Sequence, residues 1–196
     1  NGYETGLIGK WHLGELPKYQ PQNRGFNYFV SYDQDLTPFN PLLNVNGTLK
    51  KISGHTSNIF ADYAIQFLRK NQNNKFALTV AFREPQVPWH QVPEEDLRAV
   101  EHIDPIVPER DGIDQEWLKK ITRNNYASIH ALYRSIGMIL NELDNLGLSE
   151  NTIVIYIGDH GMLIGHHGYY GRGAVGVIAG DEVIGYEGIA NLYDEA

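Results

Sequence analysis

The sequence predicts an α/β protein with a mainly parallel sheet flanked by helices, and three observations predict it. Residues 76–82 and 152–157 are short, continuously apolar runs rich in strand formers, the composition of strands covered on both faces. Between them, residues 115–146 carry Ile129, Leu132, Ile136, Ile139, Leu140 and Leu143 at helical spacing, with Gly147 placed as the stop. Strand, helix, strand in that order implies a right-handed crossover and a parallel pairing. The third observation is bulk composition: 196 residues with 42% hydrophobic and 20% charged side chains suffice for one substantial core.

The remaining elements follow in chain order. Residues 15–57 scatter Pro, Asn and Gly with little periodicity and read as loop with short strands. Within them Asn46-Gly47-Thr48 fits the N-glycosylation pattern, a triplet that also arises by chance. From Ser57, placed to cap, Phe60, Tyr63, Ala64, Phe67 and Leu68 recur at helical spacing until the Asn-rich stretch 71–74 ends the helix. The glycines and valines of residues 173–191 suit a hairpin inserted for a purpose the sequence does not disclose.

Composition excludes several functions. Sixteen basic against twenty-four acidic residues give a net charge of -8 with no Lys/Arg block, which argues against a nucleic-acid partner. No apolar run reaches the length of a membrane span. The absence of cysteine removes disulfides, thiolate metal sites and a cysteine nucleophile together.

The chemistry concentrates in three places. Gly2-Tyr3-Glu4-Thr5-Gly6-Leu7-Ile8-Gly9-Lys10-Trp11-His12-Leu13-Gly14 crowds four glycines beside Lys10 and His12. Two residues apart on an extended stretch, those side chains share a side and suit an anion: a fixed point charge beside a proton shuttle. Taken alone, such a pair in a Gly-rich loop is more often a solvated turn than a catalytic pair. In open α/β sheets ligands bind beyond the carboxyl ends of strands, and both apolar runs lead into polar clusters. The first leads to Arg83-Glu84-Pro85-Gln86-Val87-Pro88-Trp89-His90, the second to Gly158-Asp159-His160-Gly161 and Gly165-His166-His167-Gly168. A carboxylate and an imidazole bracketed by glycines make Asp159 and His160 the best metal candidates in the chain. His166 and His167 follow, but adjacent side chains point in different directions, and at least one reads as a hydrogen-bonded loop histidine.

The opening run resembles the sulfatase signature Gly-Tyr-x-Thr-x-x-x-Gly-Lys-Trp-His-Leu-Gly. The segment from Thr152 through Asp159-His160-Gly161 to His167-Gly168 is similar to the stretch that closes the metal site in that family. Arg24-Gly25-Phe26-Asn27-Tyr28-Phe29 resembles a further family run, with Asn27 in an Asp place. The resemblance implies an alkaline-phosphatase-like sulfatase core and hydrolysis of a sulfuric ester, with a small molecule or glycan as substrate. It implies that Lys10 contacts the sulfate, that His12 supports the nucleophile, and that Asp159 and His160 bind a divalent cation, calcium in the family. Calcium prefers oxygen ligands, so the imidazole fits zinc or manganese more naturally. That chemistry supports an alternative, a phosphoester or phosphonate hydrolase of the same superfamily.

Two departures bear on mechanism. Pro85-Gln86-Val87-Pro88 stands where the family usually reads Pro-His-x-Pro, so Gln86 replaces an acid and His90 becomes the substitute donor. A non-catalytic anion-binding relative is the third possibility, and Gln86 is its best hint. Arg172, in Gly171-Arg172-Gly173, stands where the family places a sulfate-binding lysine, keeping the charge and adding a planar fork. The Cys-or-Ser-x-Pro-x-Arg nucleophile motif and the Asp-Asp pair of the family are not found in these residues. The expectation is therefore an internal fragment of a sulfatase catalytic domain, inactive alone, from an exported parent of unread oligomeric state.

Overall fold

Strand β1 (Glu4–Lys10) is the inner strand around which the larger sheet is built. In this computed structural model residues 2–14, 16–32, 37–172 and 176–184 are described. Strand β2 (Tyr28–Tyr32) and strand β5 (Phe76–Ala81) flank β1, both parallel to it. Strands β3 (Leu42–Val45) and β4 (Thr48–Lys51) continue the sheet antiparallel, so its order is β4-β3-β2-β1-β5 and it is mixed with a parallel centre. The β3–β4 turn is made by Asn46 (φ 49°) and Gly47 (φ 89°), the pair of positive φ values that a two-residue hairpin requires. The Asn46 side chain accepts from Phe29 N–H at 2.8 Å, which ties the triplet to β2.

The opening glycines are explained by packing. Gly9 has φ +110°, and a Cβ there would lie 2.0 Å from the Ala81 carbonyl oxygen, so only glycine lets β1 and β5 close up just before Lys10. One face of the sheet buries Ile8, Val30, Tyr32 and Leu43 against Ile59, Phe60 and Ala64 of helix α1 (Thr56–Asn71). The opposite face carries a smaller cluster of Leu7, Trp11 and Phe29. Ser57 does not cap α1: His55 holds that position without a side-chain hydrogen bond, and Ser57 lies buried in the first turn.

Helix α3 (Gln115–Asn145) matches its predicted span, and Asp114 caps it by accepting from the N–H groups of Glu116 (2.9 Å) and Trp117 (3.0 Å). It packs on α1, where Arg69 grips Glu142 through two bonds of 2.7 and 3.1 Å, and on helix α2 (Glu94–Val100). There the fully buried Asp96 accepts from His130 (2.7 Å) and from Arg134 (2.8 and 3.2 Å). The predicted apolar stripe is only half covered: Leu132 and Leu143 are buried, whereas Ile129 and Leu140 are exposed.

The second predicted strand does not form. Residues 152–157 carry no ladder, and Ile153 to Ile157 are 57–89% exposed. Strand β5 is bonded to β1 on one side and forms the sheet edge on the other, and Thr152 is held only by the preceding turn, its N–H donating to Ser149 O and its hydroxyl to Leu148 O, so among the described residues no strand pairs with 153–157. The crossover inferred from sequence therefore has only its first strand.

A second sheet, antiparallel throughout, joins strands β6 (Leu163–Ile164), β7 (Tyr169–Gly171), β8 (Gly176–Ala179) and β9 (Glu182–Ile184). The hairpin expected in 173–191 is the β8–β9 pair; residues 173–175 and 185–191 lie outside the described residues. This sheet buries Tyr170, Ile178 and Val183 against Trp89 and the first turns of α3 at Leu118 and Ile121.

Candidate active site

The carboxyl ends of β1, β2 and β5 lie side by side, with Gly9 opposite Ala81 and Lys10 opposite Tyr32. That edge presents Lys10 half-buried and His12 exposed, with Trp11 turned inward between them. Neither the Lys10 nor the His12 side chain makes a hydrogen bond or ion pair among the described residues, although the Lys10 backbone is part of the β1–β2 ladder. Both are polar groups with bonding capacity to offer a ligand.

Beyond β5 the chain folds into an arch. Arg83 donates to the carbonyls of Gln86 (2.9 Å) and Val87, and Trp89 Nε1 donates to Pro85 O at 2.8 Å. Gln86 and His90 are half-buried on this arch. Burial first, and the Lys120 charge second, hold the His90 imidazole below its ordinary range. The fully buried Trp89 ring packs against Tyr170 at 5.4 Å between centroids, which joins the arch to the second sheet two residues before Arg172.

Asp159, His160 and Arg172 do come together. The Arg172 Nη1 lies 2.9 Å from His160 Nε2, and Asp159 Oδ2 lies 3.4 Å from the same nitrogen. A guanidinium can only donate, so His160 Nε2 is the accepting lone pair and its proton sits on Nδ1, which donates to Gly161 O at 3.0 Å. A ring N–H tied to a backbone carbonyl, with the other nitrogen facing a carboxylate, is the usual arrangement of a metal-binding histidine. The spacing also fits. Adjacent ligands of a tetrahedral zinc are about 3.3 Å apart, and those of an octahedral calcium about 3.4 Å. Spacing does not choose between the ions; the imidazole favours zinc or manganese. Among the described residues no three His, Asp or Glu side chains gather to hold a metal, and His166 and His167 are exposed away from this pair, the His167 carbonyl accepting from Arg110.

Sequence reasoning missed one buried group near the same edge. His55, at the start of α1, lies 3.7 Å from Glu84, both side chains being 1% exposed, and their polar atoms have no hydrogen-bond partner. Burial depresses the His55 imidazole against the opposing pull of Glu84. Glu84 was visible within the polar cluster after β5, but nothing in the sequence paired it with a residue 29 positions earlier (84 − 55).

The comparison with protein families decides the identity: the Sulfatase model matches residues 1–185. The chain belongs to the sulfatase family. A relative, the Ulvan-active sulfatase of Formosa agariphila, is 30% identical over 84% of this chain and 34% of its own length. The Extracellular sulfatase SULF-1 homolog of Drosophila melanogaster is 23% identical over 85% of this chain and 17% of its own. A protein solved in complex with its substrate D-glucosamine-2-N,6-O-disulfate shares the fold, with a TM-score of 0.73, 19% identity, and coverage of 86% of this chain and 49% of that one. This sulfatase chain thus spans about a third of the length of the Formosa relative. Among its described residues no helix is long and apolar enough to cross a membrane.

Proposed function

We propose that the whole protein hydrolyses a sulfuric ester on a carbohydrate, with Lys10, Arg172 and the Asp159–His160 couple meeting the sulfate group. The convergence of Asp159, His160 and Arg172 in a sulfatase chain carries this reading. The carbohydrate part rests on the ulvan-active relative and on the glucosamine disulfate bound by a structural neighbour. An exported location rests on the relative named extracellular.

The residues divide the work by their chemistry. Lys10 supplies a point charge and Arg172 a planar fork to the non-bridging oxygens, while His12 supports the reacting group from beside Lys10. Gln86 donates an amide hydrogen bond to the ester oxygen but no proton. With its pKa lowered, His90 stands neutral at neutral pH, where it orients the leaving group rather than protonating it. Asp159 and His160 would hold a divalent ion, which when bound acts as a Lewis acid on the sulfuryl oxygens. Because the nucleophile motif is absent from these 196 residues, they are inert by themselves.

Sulfate and phosphate release by the whole protein, measured side by side, test this. Lys10→Ala lowers sulfate release about 100- to 1000-fold; unchanged turnover removes Lys10 from the site. Faster phosphate than sulfate release turns the assignment to a phosphoester hydrolase, the second reading that the His160 imidazole favours. Sulfate release by the 196-residue chain alone overturns its inertness.

A further inference from the structure

Three buried polar side chains lie beside the edge that carries Lys10, and the reaction as described uses none of them. Glu84 stands at the start of the arch, and its Oε1 lies 3.7 Å from His55 Nε2, both side chains being enclosed. Tyr32 ends β2 opposite Lys10 and is buried. Burial first, and the Glu84 charge second, push the Tyr32 phenol up, so the carboxylate faces β2 as well as α1. Among the described residues the Tyr32 hydroxyl, both His55 nitrogens and both Glu84 oxygens have no hydrogen-bond partner.

The imidazole is a fixed post. The His55 backbone pairs with Phe39 in an isolated bridge, and the Phe39 ring meets the imidazole edge-on at 5.0 Å between centroids. Next along the chain the Thr56 hydroxyl donates to the carbonyls of Thr37 (2.9 Å) and Pro38 (3.0 Å). The hydrogen bonds of Arg83 and Trp89, by contrast, close within the arch itself and shape it without aiming it. Trp89 seats the arch on the second sheet; toward β2 and α1 its charged contact is Glu84. A buried acid and base add little net stability, because desolvation offsets their attraction, yet drawing one away leaves the other enclosed and unmatched. Such a pair fixes a position better than it holds a fold.

We infer that Glu84 is a positioning residue: facing His55 and Tyr32, it sets the arch so that Gln86 and His90 meet the sulfate group held by Lys10. His55 and Tyr32 act through it. This rests on the sulfatase reading and adds to it the group that registers one part of the site against another. The link to Lys10 is short, since Lys10 and Tyr32 are partners in the parallel ladder.

Two measurements test this. Sulfate release from 4-nitrophenyl sulfate by the whole protein gives kcat and KM, and hydrogen exchange of the amides in residues 83–90 reports the placement of the arch without any chemistry. Glu84→Gln keeps the size and removes the charge. It lowers kcat about 10- to 100-fold while KM changes much less, because Lys10 and Arg172 still bind the sulfate. The arch amides exchange faster, and those of β1 do not. His55→Gln acts alike, and the double variant falls no further than either single one, as expected of residues that work as a unit. Should Glu84→Gln misfold, Tyr32→Phe removes only a hydroxyl and repeats the kcat loss at smaller size. Unchanged kcat and unchanged arch exchange in Glu84→Gln and His55→Gln overturn the proposal; so do losses that multiply in the double variant. Sulfate release that Glu84→Gln leaves intact keeps the sulfatase reading and removes the positioning role. Faster arch exchange in a protein that releases no sulfate does the reverse: the reading falls, and the hold of Glu84 on the arch stands.

Discussion

Strand β5 and residues 152–157 have nearly the same composition and opposite fates. Both are apolar runs of strand formers followed by polar residues. The first lies in register beside β1, with Leu78 and Val80 packed on the cluster that contains Phe60. The second forms no ladder, and Ile153 to Ile157 are 57–89% exposed. The difference teaches that an apolar run makes a segment eligible to be a strand. A neighbour's N–H and C=O groups make it one, because a lone strand cannot satisfy its own backbone in an apolar setting.

The largest effect tests the glycine that lets β5 in. Gly9→Ala places a methyl against the Ala81 carbonyl at a positive φ, so we expect a loss of about 2–5 kcal/mol in denaturant unfolding. Gly158→Ala, at the end of the unpaired run, meets nothing within 4 Å and serves as the matched control. If both substitutions cost the same, packing is not what separates the two regions. A second pair sharpens the contrast on side chains. Leu78→Ala, half-buried on the core, costs about 2 kcal/mol, while Ile155→Ala changes stability by less than about 0.5 kcal/mol.

The smallest effect is a pH dependence. Burial lowers the imidazoles of His55 and His90, which flank β5 at the start of α1 and on the arch. Below their ordinary value of 6.5 the unfolded chain takes up protons that the folded chain refuses. Their contribution is thus complete above that pH and is lost as the pH falls toward the depressed values. We expect the melting temperature to drop over that window, with a shallower slope in His55→Gln. A flat profile removes the desolvation of both rings.

Much of this was legible. The Lys10 run, β5 and α3 follow from glycine content, apolar runs and a 3.6-residue period, all local signals. Asp159, His160 and Arg172 were named from sequence, and the structure sets Arg172 Nη1 2.9 Å and Asp159 Oδ2 3.4 Å from His160 Nε2. What the sequence did not disclose depends on partners distant along the chain. Asp96 looks like an ordinary acidic residue in a first helical turn until His130 and Arg134 arrive from α3. His55 and Glu84 belong to different elements and meet only in the folded chain. The failed strand at 152–157 has the same origin, since its fate depends on a neighbour and not on its own residues. The Asn46-Gly47 pair is a local turn signal that marks the β3–β4 hairpin within residues 15–57, whose scattered Pro, Asn and Gly otherwise read as loop with short strands.

The contact of Trp89 with Tyr170 gives the molecule a built-in optical gauge. The indole is wholly enclosed, with a phenol ring 5.4 Å away on the second sheet, so its emission is shifted to the blue only while that sheet is seated on the arch. Replacing Trp11 and Trp117 with phenylalanine isolates the signal, and its drift to the red during titration with denaturant would time the undocking of the sheet that carries Arg172.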